Sequence, residues 1–520
     1  MSNKYDYIII GSGFGGSVSA LRLSEKGYKV LVIEQGKEFK SNDFPKTNWN
    51  LKKWLWLPSL KFFGIQKLTF FRHVTILSGT GVGGGSLVYA NTLPKPKSPF
   101  FNHGTWNGLD DWENKLTPFY EKAWKMLGAT PNPVMAPSDK SLEEIANEMR
   151  KPFEPTKVAI YFGDKGETVK DPYFNGKGPD RTGCELCGAC MTGCRYNSKN
   201  TLDKNYLYLA RQLGAEVLPE HKVVNVIPNG EKGENGYEVV YKSATTYFSK
   251  NKKVKTKGII FSGGVLGTIP LLLKLKKTNL PNLSNKVGMT VRTNNESLTV
   301  NTVYGGKYDG KMSQGIAIGS IMTMDENSHV ETVRYGKGSG FWNLVMVPVV
   351  NEPNFFLRFF KVIYQMIITA PKRLKILFTK DFGSNTSVLL FMQHLESTIQ
   401  LKKGLFSLKT ALNKNEKKPT AFIPEALNFA KAYAKRIKAI PQVMITESIT
   451  GFPSTAHILG GACMGENDTK GVIDKNNKVF NYENMYVFDG SMISANPGVN
   501  PSLSITAISE YGMSKIENKA

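Results

Sequence analysis

The residues of this chain that could do chemistry sit in three glycine-bearing turns and one cluster of thiols. Gly11-x-Gly13-x-x-Gly16 follows the apolar run Tyr7-Ile8-Ile9-Ile10 and precedes a helix-like stretch, SVSALRLSEKG. In this pattern the first glycine permits a sharp turn, the second lets the backbone approach a pyrophosphate, and the third lets helix and strand pack closely. The helix N-terminus then offers N–H groups and a partial positive charge to the phosphates. KVLVIE reads as a second buried strand. Glu34 ends it, at about the distance where an acid binds ribose hydroxyls and disfavours a 2′-phosphate. Together these elements predict a dinucleotide site, without separating NAD from FAD.

Two further turns narrow the ligand. Ser78-Gly79-Thr80-Gly81-Val82-Gly83-Gly84-Gly85-Ser86 is too rich in glycine for ordinary core structure and suits close backbone approach to a large flat ligand. Asp489-Gly490-Ser491 follows a C-terminal strand, MYVF. The thiols form Cys184-x-x-Cys187-x-x-Cys190-x-x-x-Cys194, four of the five cysteines within eleven residues. That is too tight for an extracellular disulfide framework. The spacing is that of a ferredoxin-type iron–sulfur run. Arg195 stands where such runs carry proline, however, and no second cluster motif is present. Buried structural thiols are therefore the first reading, an iron–sulfur or zinc site the second, and a redox disulfide the third.

The elements that must position these residues follow from length and pattern. With 520 residues, two domains or one two-lobed unit is expected. After the cysteines, TLDKNYLYLARQLGA reads as a helix, three short strands as an antiparallel meander, and GVLGTIPLLLKLKK as a helix starting at a glycine pair. Residues 290–350 alternate apolar and polar residues, as a β-rich second lobe would.

The net charge of +24, from 67 Lys+Arg against 43 Asp+Glu, favours anionic partners. No zinc-finger, RNP or helix-turn-helix signature accompanies it, so nucleic acid is not expected. Residues 52–73 and 355–380 mix aromatics with cations, the recipe of interfacial segments on an anionic membrane surface; in the second, Arg358 and Lys361 lie one turn apart. The alternative is that both segments face the core of a large lobe. No secretory leader and no bilayer-spanning stretch are read, so the expected location is cytoplasmic and peripheral to a membrane.

In chain order, GSGFGGSVSALRLSEKG…VLVIEQG, GTGVGGGSLVYAN, SGGVLGTIPLLL, AHILGGACMG and NMYVFDGSMISANPGVNPSLSITAISE resemble the glucose–methanol–choline family of flavoproteins, over nearly the whole chain. LPNLSNKVG and GVNP point to its sterol-oxidising branch with non-covalent FAD. CGACMTGCRYNSKNTL also resembles a segment in a sub-branch of this family, where it is read as a packed loop near the flavin. The resemblance implies an α/β fold: a Rossmann-like FAD-binding domain (1–50, 75–95, 195–285 and 470–520) and a second α+β substrate-binding lobe with a large β-sheet (51–74, 96–194 and 286–469). It carries FAD contacts onto Gly11, Gly13, Gly16, Glu34, Gly81, Gly85, Ser86, Asn91, Val223, Asp489 and Gly490. If FAD were covalent, His73 would be the attachment candidate.

The same resemblance places the reaction at His457 and Asn500, and a proton-moving base at Glu331. Alone, the first two would be a core histidine and a turn asparagine; flanking glycines and the paired motif favour function. A neutral imidazole can take a hydroxyl proton, an amide can donate to the same oxygen, and hydride goes to flavin N5. Glu331 alone would be a strand-end glutamate beside a basic neighbour. The implied activity is oxidation of a sterol or other bulky lipid alcohol, with dioxygen or a quinone-like acceptor reoxidising the flavin. Two alternatives stand beside it: a flavin/iron–sulfur electron-transfer dehydrogenase, and a catalytically silent flavin protein on a membrane surface.

Overall fold

The computed structural model describes residues 5–352, 354–377, 381–404 and 407–520. Residues 378–380, the end of the segment 355–380 expected to face a membrane, lie outside them.

The apolar run at the N-terminus becomes the fully buried strand Tyr5–Ile10, at the middle of a seven-stranded sheet. It pairs in parallel with Val30–Ile33 on one side and Lys252–Phe261 on the other. Glu216–Leu218 and Met485–Val487 add further parallel neighbours. A sheet buried on both faces needs continuous apolar runs rather than alternation, which is what IIII and VLVI supply. The expected meander forms: His221–Pro228, Tyr237–Ser243 and Lys252–Phe261 are antiparallel neighbours. Helices Phe14–Glu25 and Ser502–Ser514 pack together, with Glu510 bridging to Arg22 at 2.8 Å.

The β-rich lobe is a second seven-stranded sheet. It is built from Phe153–Pro155, Glu296–Val303, Ile318–Thr323, Ser328–Val333, Met346–Pro348, Thr386–Gln393 and Ala439–Met444. Helices Pro137–Met149 and Pro424–Ile437 cover one face, with Val330, Leu389 and Phe391 beneath them. Arg334 and Asp139, both fully buried, meet at 2.6 Å, and Asp139 also accepts from Ser320 Oγ at 2.8 Å. The opposite face presents Ile318, Val333 and Leu390 toward the first sheet.

The two aromatic–basic segments fold differently from each other. Residues 52–73 form no interfacial helix. Trp54 is fully buried, with ring centroids 5.1 Å from Phe341 and 5.5 Å from Trp342, and Trp56 is buried too. The segment's tryptophans find apolar partners inside, whereas Leu57, Leu60 and Phe70 remain exposed. Helix Phe355–Ile368 stays on the surface, with Phe356 70%, Phe360 65% and Ile367 65% exposed. Arg358 does not join that surface. It is 8% exposed and turned inward onto the carbonyl oxygens of Glu352 and Ile449. Among the described residues no helix is long and apolar enough to cross a membrane.

A buried acid marks where the second lobe meets the strand pair Gln66–Phe71 and Val74–Gly79. Glu447 lies in helix Ile445–Thr450 and accepts the Ser454 N–H at 2.8 Å, while Ser454–Thr455 pairs with Val74–Gly79. Burial, with the charge of Glu296 adding, pushes its carboxyl up from 4.5 to about 8. The folded protein thus keeps a proton that the unfolded chain releases, so this group's contribution to stability falls as pH rises from about 4.5 to about 8 and then levels off. Glu447→Gln keeps the oxygen that accepts from Ser454 and removes the titration. Its Tm relative to wild type is expected to climb across that window; a difference that stays flat in scanning calorimetry at stepped pH refutes the assignment.

Candidate active site

One cavity of about 390 Å³ runs between the two sheets. Its first wall is the glycine turns. Gly11 takes φ 104°, and a Cβ there would lie 2.4 Å from the carbonyl oxygen of Ser262. Gly84 takes φ 53° and would press a Cβ to 2.7 Å from Gly13 Cα, so the first and second glycine loops touch backbone to backbone. Ser12 fastens them: its Oγ donates to Glu34 Oε2 at 2.7 Å and accepts the Gly83 N–H at 3.1 Å. Glu34 is buried, accepting the N–H groups of Ser12 at 3.0 Å and Gly36 at 2.9 Å. Burial raises its pKa, and those hydrogen bonds oppose the rise.

The space beside these turns fits a dinucleotide. A Cβ on Gly13 would meet nothing nearer than 4.0 Å, and one on Gly264 would meet nothing within 4 Å, so the missing side chains leave room on the cavity side. Helices Phe14–Glu25 and Val265–Leu275 both begin there, capped by Gly13 and Gly264 with no side-chain hydrogen bond. Their first N–H groups are available to phosphate oxygens. Asp489 ties the third turn in, accepting the N–H groups of Gly264 at 2.9 Å and Ser491 at 2.7 Å. Burial raises its pKa against those bonds.

The expected contacts divide into two layers. Gly11, Gly13, Glu34, Gly85, Val223, Asp489 and Gly490 line the cavity. Gly16, Gly81, Ser86 and Asn91 do not. Gly16 is the close contact of helix and turn, where a Cβ would sit 2.2 Å from Gly11 O. Ser86 Oγ donates to Gly83 O and accepts the Leu202 N–H, bracing the second loop from behind. Gly81 O accepts the Gly84 N–H, and Asn91 is buried beside Cys190. His73 is also outside the lining, held by Thr410 at 2.8 Å and against the Phe452 ring.

The far end of the cavity holds His457 and Asn500 together. Glu296, fully buried in strand Glu296–Val303, accepts from His457 Nδ1 at 2.6 Å with one oxygen and from the Ala456 N–H at 2.6 Å with the other. A carboxylate only accepts, so the neutral imidazole carries its proton on Nδ1 and leaves the Nε2 lone pair free. Burial lowers the pKa of His457, but the charge and hydrogen bond of Glu296 and the charge of Glu331 outweigh it, and the net direction is up. Asn500 is buried and its Oδ1 has no hydrogen-bond partner. Glu331 lies in strand Ser328–Val333, fully buried and outside the lining. Its oxygens have no hydrogen-bond partner, and His329 Nε2 is 3.7 Å away. Between the two ends, Leu298, Val300, Ile318, Val333, Val388 and Leu390 make an apolar wall, and Trp342 and Phe382 complete the lining.

Sequence reasoning missed Glu296 and Ser12. A single acid opening a strand, and a serine inside a glycine turn, carry no signal until the fold shows what they face. The four cysteines are unpaired and share a separate, smaller cavity with Lys199.

Comparison with known proteins agrees with this geometry. The chain matches the family models for GMC oxidoreductase over residues 177–278 and 389–509, and for an FAD binding domain over 6–49. It is 44% identical to a cholesterol oxidase of Acinetobacter baumannii, covering 99% of this chain and 95% of that protein. It is 39% identical to a cholesterol oxidase of Mycobacterium tuberculosis, covering 100% and 92%. Similar folds include pyridoxine 4-oxidase from Mesorbium loti, with a TM-score of 0.63 at 14% identity and 98% of both chains covered. Paired with a glycine cradle that fits FAD and an apolar cavity ending at an imidazole and an amide, these matches show that the chain belongs to the GMC oxidoreductase family and is an FAD-dependent enzyme of alcohol oxidation.

Proposed function

We propose that this enzyme oxidises the hydroxyl of a sterol or another bulky lipid alcohol to the ketone or aldehyde. The observation that carries the reading is the aliphatic wall of the second sheet, which leads to His457 and Asn500 with few polar groups along it. A substrate seated there is selected by apolar area, at about 25 cal/mol per Å² removed from water. FAD, when bound, supplies the hydride acceptor, flavin N5. His457 Nε2 takes the hydroxyl proton, and Glu296 holds the ring and offsets the positive charge that forms on it. Asn500 donates its amide to the substrate oxygen. Glu331, buried with both oxygens unpartnered, is the base that moves a carbon-bound proton after oxidation. Dioxygen or a quinone-like acceptor then takes the electrons. The names of the similar cholesterol oxidases support the substrate class.

The exposed helix Phe355–Ile368 is the proposed membrane contact. Its Phe and Ile side chains bury in the headgroup boundary while the exposed Lys372 and Lys375 of the following helix meet anionic lipid.

Anaerobic bleaching of the flavin by a panel of alcohols tests the activity directly, and sterols or long-chain alcohols are expected to bleach it where short ones do not. His457→Ala and Asn500→Leu should each lower kcat/KM by about 100-fold or more with FAD content unchanged; near-normal turnover in both removes the assignment. Glu296→Gln takes away the charge that holds the His457 pKa up, so the acid limb of kcat/KM should move to lower pH as its plateau falls. A limb that stays in place means another group titrates. At low salt the protein should pellet with phosphatidylglycerol vesicles, and Phe356→Ser with Phe360→Ser should weaken this at least ~10-fold. Equal pelleting of the variant assigns binding to another surface.

A further inference from the structure

Glu331 is the inner member of a row of titratable side chains that leads from the cavity to the surface. In strand Ser328–Val333 the side chains of His329, Glu331 and Val333 alternate onto one face. The neighbouring strand Thr386–Gln393 runs antiparallel, with Leu390 opposite Glu331 and Met392 opposite His329. Val333 and Leu390 line the active-site cavity, so this is the face turned toward it. His329 Nε2 stands 3.7 Å from Glu331 Oε1. The next residue of the face is His394, two beyond Met392 and diagonal to His329, a spacing within reach of long side chains. The His394 N–H donates to Asn327 O at 3.1 Å, which carries the pairing one residue past the strand. Gly498, two residues before Asn500, packs against it, where a Cβ would lie 2.5 Å from the His394 backbone nitrogen. Exposure rises along the row. Glu331 is fully buried, His329 is 5% exposed, His394 is half-buried, and Lys97 and His103, whose charges reach His394, are exposed.

Both oxygens of Glu331, His329 Nε2 and His394 Nε2 are buried without a hydrogen-bond partner among the described residues. A buried polar atom left unmatched is costly, and four in one row are not what packing alone produces. Imidazole is the side chain that near neutral pH can accept a proton on one nitrogen and give one up from the other. The gap from His329 to Glu331 is about 0.8 Å longer than a hydrogen bond, which a turn of the carboxylate closes. At His394, burial and the charges of Lys97, His103 and His329 lower the pKa, with Asp325 opposing them. The outer imidazole is therefore neutral at neutral pH and free to receive a proton from the inner one.

We propose that His329 and His394 form a proton relay that joins Glu331 to solvent, with a bridging water where the side chains do not touch. The relay rests on the reading of Glu331 as the base that moves a carbon-bound proton after oxidation. In a β,γ-unsaturated ketone, Glu331 breaks a C–H bond between the carbonyl and the double bond and holds the proton as its carboxylic acid. The electron pair of that bond moves into a dienolate. The dienolate takes a proton at the far end of the double bond, which gives the conjugated ketone. No electrons are gained or lost, and one proton leaves carbon for each that returns. A carboxyl sealed in the core would return the proton it took. Through His329 and His394 the proton on Glu331 exchanges with solvent first, so the one returned is not the one removed.

The test is turnover of cholesterol by the FAD-loaded full-length protein in deuterium oxide, with the product read by mass spectrometry and NMR. At least about half a deuterium per molecule is expected at the carbon that receives the proton, above a blank of product held in the same buffer without enzyme. His329→Gln and His394→Gln keep a hydrogen-bonding amide and cannot relay a proton. Each should lower that incorporation at least ~5-fold per molecule isomerised, with FAD content unchanged. Conjugated product without deuterium from the wild-type protein overturns the relay before any variant is made, as does incorporation in either variant equal to wild type. A ketone released unconjugated removes Glu331 as the base and the relay with it. A flavin that cholesterol does not bleach removes the sterol reading on which both rest, so the three failures are told apart on one sample.

Discussion

Backbone-to-backbone contact between two glycine turns fixes the geometry of everything else. Gly83 and Ser12 are 71 residues apart in sequence, yet they share a hydrogen bond, and Gly84 lies against Gly13 too closely for any side chain between them. This contact brings the strand Val74–Gly79, which leads into the second loop, onto the edge of the nucleotide cradle. Through Ser454–Thr455, paired to that strand, it also brings in the segment that continues to His457. The reaction end of the cavity is thus tied to the nucleotide end by main-chain pairing together with the buried hydroxyl of Ser12.

The electrostatics of the reaction end follow from the same dry setting. Glu296, Glu331 and Glu447 are buried, and they are treated differently. Glu296 is answered by an imidazole and an N–H, Glu447 is left largely protonated at neutral pH, and Glu331 accepts no hydrogen bond, with His329 Nε2 3.7 Å away. An unpartnered buried polar group costs free energy on the order of 1–3 kcal/mol, more if charged. That cost is rarely retained in a core without a task. The unpartnered Oδ1 of Asn500 belongs to the same pattern.

The sequence made the first sheet legible because its strands are short apolar runs bounded by glycine, and the turn pattern states its own geometry. The second sheet was legible only as a β-rich region, since its register depends on pairings such as Glu331 with Leu390, across nearly sixty intervening residues. Residues 52–73 and 355–380 both mix aromatics with cations, and composition cannot say which way a ring faces. Trp54 found Phe341 and Trp342, far along the chain, whereas Phe356 and Phe360 found no such partners. Arg358 shows the same limit: an arginine on an apolar helix reads as a lipid contact until carbonyl groups from Glu352 and Ile449 are seen to receive it. Contacts to a ligand were blurred for a related reason, because Gly16, Gly81 and Ser86 shape the cradle from behind and leave the same trace in sequence as residues that touch.

The two cavities stand in an order that constrains how the enzyme can work. The active-site cavity is walled on its second-sheet side by Leu298, Val300, Ile318, Val333, Val388 and Leu390, with Thr92, Tyr335, Ser339 and Thr386 among the polar residues that also line it. The wall between this cavity and the one lined by the cysteines contains Tyr89, Met191 and Lys199; Met191 packs with Ile318, Val333 and Leu390, and the two cavities share no lining residue. Lys199 is the informative residue in that wall. Burial drags its pKa down to about 7, and the nearby sulfurs Cys190 and Cys194 pull the other way. Its ammonium is met by three carbonyl oxygens and the face of the Tyr89 ring, and burying a charge there is an expensive way to join two loops. The three carbonyl oxygens it joins belong to Leu87, Tyr89 and Cys190, so one buried side chain ties the second glycine loop to the cysteine segment.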